Sequence, residues 1–334
     1  MELPVRTAAS NEAMEIYATG FNAWNQLTFD PLPTDEEPDD LFSFTKVLGT
    51  QFIGRVVPEL SYTAVQQDDN WILSGSSSNK LLYYKDSTTC LFDSPGAISG
   101  DGKILTSQIP DPSHSTQALV QYPSLTAWKA SKSTDTWPCD SLVRQIAAYD
   151  AGFLILLQDG TVLSCGDPRF RDCLGREVDE YCPAHVPSII EDLTDLGEPI
   201  KKIAAGGYTV AALTDSGGLY LWGMKPPGSQ SRRSAFAELN SIPNYVEVDG
   251  EKDVQDIAIG ESHAIALTTD GCIYVVGDNT NGQIGLEKGE KDFIESWHKI
   301  DFIPHPGWEV VAVEAGPRSS FIVTAKAKYS QSSK

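Results

Sequence analysis

Side chains able to do chemistry are few and scattered among these 334 residues. The five histidines, His114, His185, His263, His298 and His305, share no spacing suited to metal ligands or to an acid–base pair. No G-x-S-x-G nucleophile elbow and no H-E-x-x-H pair occurs. Gly100-Asp101-Gly102-Lys103 has the form of the end of a phosphate loop. That loop would need Gly at 97 and Ser or Thr at 104; the chain has Ala97 and Ile104, so a turn is the better reading. Of the six cysteines, Cys165, Cys173 and Cys182 lie closest together, and their spacings fit no common zinc knuckle. No catalytic residue, metal or cofactor is expected, and the protein is read as non-enzymatic.

What remains is residue types that hold partners. Tyr208 and Arg318 are of the kinds that anchor interfaces, and Trp24 is a further candidate in the loop Phe21–Asn25. Arg169 and Arg171 flank Phe170, and Arg232-Arg233 is the only Arg-Arg pair, set between Ser231 and Ser234 where an acidic group or a phosphate could dock. Glu59, Asp150 and Glu261 lie in short links between apolar runs, where a partner could touch them. His263 sits among apolar residues, a setting that favours a packed, hydrogen-bonded histidine over a catalyst.

These candidates need a scaffold, and Asp253–Glu287 shows what it is. Two apolar runs, IAIG and AIALT, meet at Gly260-Glu261-Ser262; Asp270-Gly271 then turns the chain into Cys272–Val276, which ends at Gly277. The unit recurs at 145–166, with Asp159-Gly160 at the turn, and at 202–223, with Ser216-Gly217 there. A weaker copy spans 56–75, with Asp69-Asn70 at the turn. Residues 80–140 hold one eroded unit, with strands around Lys103–Leu105 and Gln117–Trp128 and a loop at Ser131–Thr136. Glycines closing the third strands fall at 20, 75, 166, 223 and 277, a period that marks propellers and solenoids. Residues 15–27 read as a third strand with no predecessors, and 310–325 as two strands with no successor. Together they complete one unit, which predicts a closed ring whose ends share a blade. A dozen-residue amphipathic helix is hard to find; only Ser234–Leu239 suggests a helical turn.

The unit resembles the repeat of the regulator-of-chromosome-condensation family, IAxGxxHxxALTxDGxLYxWGxNxxGQLG. Gly260, His263, Leu267, Asp270-Gly271, Tyr274, Gly277, Asn279, Gly282-Gln283 and Gly285 carry it, together with Gly206, Leu219-Tyr220 and Trp222-Gly223, and with Tyr17, Gly20, Asn22 and Gln26-Leu27. The resemblance implies an all-β propeller of four-stranded blades. The founding member exchanges nucleotide on the small GTPase Ran. The layout here is closer to short, divergent members that partner modifying enzymes, either a JmjC-type histone demethylase or a small zinc protein of wobble-uridine and diphthamide chemistry.

The expectation is therefore an all-β propeller with six or seven blades over residues 15–325. A flexible lead (1–14), an acidic loop (28–45), a degenerate blade (80–140) and a polar tail (326–334) complete it. One ring of loops gathers the tips between first and second strands, with Glu59, Asp150, Tyr208, Glu261 and Arg318; the opposite ring gathers loops after the third strands, with Trp24, Arg169, Arg171, Arg232 and Arg233. Trp222 is expected in the core. The formal net charge of −21 disfavours nucleic acid and anionic membrane and favours a basic protein partner. Asp30–Leu41, with six acidic residues and three prolines, reads as a solvated loop. Unpaired thiols and the lack of a signal core suggest the cytoplasm, the nucleus or both, and a monomer. The expected function is a scaffold that regulates or completes a modifying enzyme. The alternative is guanine-nucleotide exchange on a Ran-like GTPase.

Overall fold

The computed structural model describes residues 12–29, 38–68, 70–75, 90–108, 117–228, 234–236, 238–250 and 252–327. Hairpins between apolar runs set the pattern. In the 253–287 unit the Gly271 N–H donates to Thr268 O and the Thr268 N–H to Cys272 O, both at 2.9 Å, with Gly271 at φ 80°. A type I turn closed by a left-handed glycine has the twist that antiparallel strands need. The same bonds recur at Leu157–Thr161 and Thr214–Gly218. The weaker copy turns one residue earlier than expected: Gln67 pairs with Asn70, and Asp68 takes the left-handed conformation at φ 53°. Asp can do this because its short side chain tolerates that region.

Six antiparallel sheets result, five of four strands and one of three among the described residues. Blade 1 is Ile53–Pro58, Tyr62–Gln67 and Asn70–Gly75. Blade 2 is Gly96–Ile98, Ile104–Gln108, Gln117–Tyr122 and Asp135–Cys139. Blade 3 is Val143–Tyr149, Gly152–Leu157, Val162–Gly166 and Ser188–Ile189. Blade 4 is Ile200–Gly206, Thr209–Thr214, Leu219–Gly223 and Asn244–Tyr245. Blade 5 is Val254–Ile259, His263–Thr268, Ile273–Asp278 and Phe293–Ile300. Blade 6 takes Trp308–Gly316 and Ser319–Lys326 from the C-terminal end and Met14–Gly20 and Leu41–Thr50 from the N-terminal end. Met14–Gly20 pairs with Ser319–Ala325 over its whole length, so the ends close one blade as the strand count predicts.

The first strand of each blade lines the axis, and the core lies between neighbouring blades. Leu154 and Leu156 of blade 3 meet Ile203, Val210, Ala212 and Trp222 of blade 4; the next interface packs Leu213 and Leu221 against Ile257, Ala266 and Tyr274. Second strands are buried throughout in blades 3, 4 and 5 because both of their faces meet a neighbour. Trp222 is fully buried, and its indole N–H donates to Cys173 O at 3.0 Å. No helix of the described residues is long and apolar enough to cross a membrane. All six thiols are unpaired.

Several boundaries differ from the sequence reading. Leu41–Thr50 is an outer strand, so the acidic loop expected over 28–45 ends sooner; residues 30–37 lie outside the described residues. The strand expected over 117–128 stops at Tyr122, where Ser124 caps a helix, Leu125–Lys129, by accepting the Ala127 N–H. The loop expected to 136 gives way to strand at Asp135. No helix forms among the described residues of 234–239, while Pro168–Cys173 and Glu191–Thr194 are short helices. Within the 80–140 region the described residues place blade 2, Gly96–Cys139.

Third-strand glycines are where close packing is most demanding. Gly277 has φ 104°, and a Cβ there would lie 2.2 Å from Ser262 O; at Gly223, φ is 137° and Tyr208 O would lie 2.1 Å away. Gly102 also has positive φ, at 83°, but has open space around it. Gly277→Ala should therefore lower stability by roughly 3 kcal/mol or more, combining strain and overlap, against about 1 kcal/mol for Gly102→Ala. Urea denaturation of both variants checks the ranking; equal losses would show that the carbonyl contact is not limiting.

Candidate interaction face

Register decides which loops share a face. In an antiparallel blade the end of the third strand lies beside the start of the second. Thus Gly166 pairs with Gly152, Gly223 with Thr209, Gly277 with His263, Gly75 with Tyr62 and Gly20 with Ser319. Loops leaving the third strands therefore emerge beside the first–second tips, not opposite them as the sequence reading has it. Hydrogen bonds fasten the two sets together: Phe21 N to Arg318 O, Asp167 N to Ala151 O, Met224 N to Tyr208 O and Asp278 N to Ser262 O, all at 2.9–3.1 Å. The opposite face carries the second–third hairpins.

The tips also bond to one another around the axis. Asp101 N donates to Asp150 O at 3.0 Å, Asp150 N to Gly207 O at 2.9 Å and Glu261 N to Pro317 O at 3.0 Å. They frame a mouth of about 400 Å³ that includes Glu59, Ser99, Asp150, Gly207, Glu261 and Pro317, from all six blades. Gly100–Lys103, the phosphate-loop look-alike, is blade 2's tip; Lys103 pairs with Asp101 at 2.5 Å. The structure thus brings Glu59, Asp150 and Glu261 into one acidic mouth, with Asp101 beside it. Asp101 escapes a reading of repeats because its blade lacks the motif.

The remaining candidates form the shoulders. Arg318 Nε lies 3.4 Å from Glu261 Oε2. Beside this pair a cleft of about 450 Å³ between blades 5 and 6 adds Asp278, Asp292 and Phe293 to the acidic surface. Tyr208 is half-buried against Phe170, ring centroids 5.2 Å apart, and the Arg169 guanidinium lies over the Phe170 ring, 5.5 Å from its centroid. Arg169 pairs with Asp167 at 2.6 Å, and these hydrogen bonds hold the Asp167 carboxyl down at about 2. Arg171 is exposed and Trp24 is 49% exposed. Arg232 and Arg233 lie outside the described residues.

The polar motif residues build the loops instead of meeting a ligand. Asn22 Oδ1 accepts the Leu27 N–H and Gln26 Oε1 the Trp24 N–H; Asn279 and Gln283 do the same for Ile284 and Asn281. All four are buried. Asp40, from the acidic stretch, ties the two loops by accepting from Asn22 N at 2.9 Å and Asn281 Nδ2 at 2.8 Å.

His263 is fully buried, and its Nε2 lies 3.2 Å from Ser319 O, as a packed histidine should. No cluster of three metal-ligating side chains occurs among the described residues. Burial depresses His263 to about 4, while burial raises Glu59 to about 7. The signs differ in effect. His263 contributes stability that is complete above its ordinary value near 6.5 and is lost as pH falls toward 4. Glu59 contributes stability that is complete below its ordinary value near 4.5 and is lost as pH rises through 7. Glu59 is only partly buried, so its share is about 1 kcal/mol once solvent screening is allowed for. Glu59→Gln should raise Tm at pH 8.5 by a few degrees, roughly 2–4 °C, and leave it unchanged near pH 4.5. A scan of Tm against pH decides; a variant curve parallel to wild type would remove Glu59 from the linkage.

Comparison with known proteins agrees with the fold. The model of the regulator of chromosome condensation (RCC1) repeat matches residues 254–283. The human E3 ubiquitin-protein ligase HERC2 is 36% identical over 138 residues, 41% of this chain and 3% of the ligase. The human regulator of chromosome condensation is 32% identical over 136 residues, 40% of this chain and 30% of that protein. The chain thus spans under a third of the length of either relative. Human WBSCR16 superposes with TM-score 0.56 at 16% identity, covering 94% of this chain and 99% of the other. Saccharomyces cerevisiae Prp20p superposes with TM-score 0.55 at 15% identity, covering 96% and 93%. Register and ring make the chain a six-bladed β-propeller, and its residues 254–283 match the regulator of chromosome condensation (RCC1) repeat.

Proposed function

We propose that the protein is a non-enzymatic propeller scaffold whose tip face docks a basic segment of a partner protein. The observation that carries this reading is the mouth, where Glu59, Asp150 and Glu261 from three blades converge on one rim. Asp278 and Asp292 extend the negative surface outward, and Trp24 and Tyr208 supply aromatic area beside it. Such a surface speeds encounter with a basic partner and sets its register more than it sets raw affinity. Yeast Prp20p, of similar fold, is described by its binding properties to Gsp1p and histones, and histones have this charge. The partner of a regulator or subunit would sit on this face while a modifying enzyme acts elsewhere. Six unpaired thiols fit a reducing setting, nuclear or cytoplasmic.

Affinity capture from native extract at low and moderate salt tests the reading. An Asp150→Lys/Glu261→Lys variant should recover a specific partner at least about tenfold less well than wild type. An Asp215→Lys variant on the hairpin face, where Asp215 is exposed, should recover it normally. Loss in the hairpin variant with retention in the tip variant would reverse the assignment of faces. The likeness to Prp20p favours exchange on a Ran-like GTPase as the second reading. Faster nucleotide release from purified Ran in the presence of this protein would bring it forward.

A further inference from the structure

The other end of the channel has the opposite charge. Five first strands shift register near their start, at Ile53/Val56, Val143/Gln145, Ile200/Lys202, Val254/Asp256 and Val310/Ala312. A bulge sets two successive residues against one on the partner strand and re-aims a side chain. In blades 1, 3 and 4 the bulge holds a basic residue, and Arg55, Arg144, Lys201 and Lys202 line a cavity of about 470 Å³ running along the axis.

Not all of this charge is balanced within the protein. Lys202 is matched: its Nζ lies 2.6 Å from Asp256 and 3.3 Å from Glu314, and Asp256 also accepts the Val313 N–H at 2.9 Å. Burial alone would depress that ammonium; the two carboxylates outweigh burial and raise it. Arg55 instead donates to Phe92 O at 2.9 Å and Ser94 O at 3.4 Å, and Lys201 to Val254 O at 3.3 Å. Among the described residues, Arg55, Arg144 and Lys201 have no carboxylate within ion-pair distance. Three cations from three blades therefore face one cavity in a chain of formal charge −21. Besides Glu314, the acidic group of the lining is Glu59, which sits at the tip end and is also part of the mouth.

We propose that the bulge end of the channel is a binding site for a small phosphate-bearing anion, held by Arg55, Arg144 and Lys201. Arg supplies paired donors suited to phosphate oxygens and Lys a compact charge. The cavity has the size of a small-molecule site, and its lining by several first strands would let one ligand clamp blades together. The site is independent of the tip-face reading, because none of its residues lies on that face.

Isothermal titration calorimetry with pyrophosphate, ATP without magnesium and myo-inositol hexakisphosphate tests it and separates the sources of the phosphate. At least one probe should bind with a Kd of about 100 µM or tighter at low salt and raise Tm. Arg144→Ala/Lys201→Ala, which changes two cations outside the packed core, should weaken that binding about tenfold or more. Arg55→Met should abolish it, with circular dichroism confirming the fold. No binding of any probe up to about 5 mM overturns the proposal. So does binding that the double variant leaves unchanged, because the anion would then lie on other lysines.

Discussion

The structure depends on one steric contact repeated around the ring. The third strand ends where a tip carbonyl occupies the place of a Cβ: Arg318 O at Gly20, Ser61 O at Gly75, Tyr208 O at Gly223 and Ser262 O at Gly277, each within 2.4 Å of where that atom would be. Only glycine fits, and at these four positions φ is positive as well. In blades 4, 5 and 6 the next N–H bonds to the same carbonyl, so the loop that follows is laid against the tip. Fold and surface are thus one construction. The contact that seats the strand also puts two sets of loops on a single face.

Around the axis, polar side chains do the work that apolar packing does further out. Gln145 exchanges two hydrogen bonds with the backbone of Ile203 in the next blade, at 2.7 and 3.1 Å. Asp256 reaches Val313 N, and Lys202 joins blade 4 to blades 5 and 6 through Asp256 and Glu314. Removing one member of such a buried pair costs roughly 3–5 kcal/mol, although the pair as a whole adds little net stability. Its value is geometric, since it fixes which blade follows which. The channel consequently runs from an acidic mouth at the tips to a basic end at the bulges.

The sequence shows the ring through its inner three strands. The turn glycines Gly160, Gly217 and Gly271 and the closing glycines such as Gly166, Gly223 and Gly277 recur with the right spacing because turn chemistry and close approach allow few substitutes. Closure was legible too, since residues 15–27 and 310–325 complement each other. Fourth strands were not, because Ser188–Ile189 and Asn244–Tyr245 have two residues each and no buried stripe. Blade 2 was blurred for a related reason. Its third strand ends at Tyr122, opposite Ile104, where the other blades have glycine, and the chain then enters a helix. The misassigned loop ring came from composition without direction: strand polarity places Trp24 and Arg169 beside Tyr208 and Arg318. Glu59, Asp150 and Glu261 were found because tips of one type must meet at the axis. Asp101 reads only as part of a turn because its blade lacks the motif, so nothing in the sequence ties it to the other tips.

Hydrogen–deuterium exchange on the complex captured from native extract would locate the partner. If the tip face is the docking surface, amides at 99–103, 149–152, 206–209, 260–263 and 316–319 gain protection together with the loops after Gly20, Gly166 and Gly277. The hairpins at 158–161, 215–218 and 269–272 stay unchanged. Protection confined to those hairpins would place the partner on the opposite face and contradict the assignment.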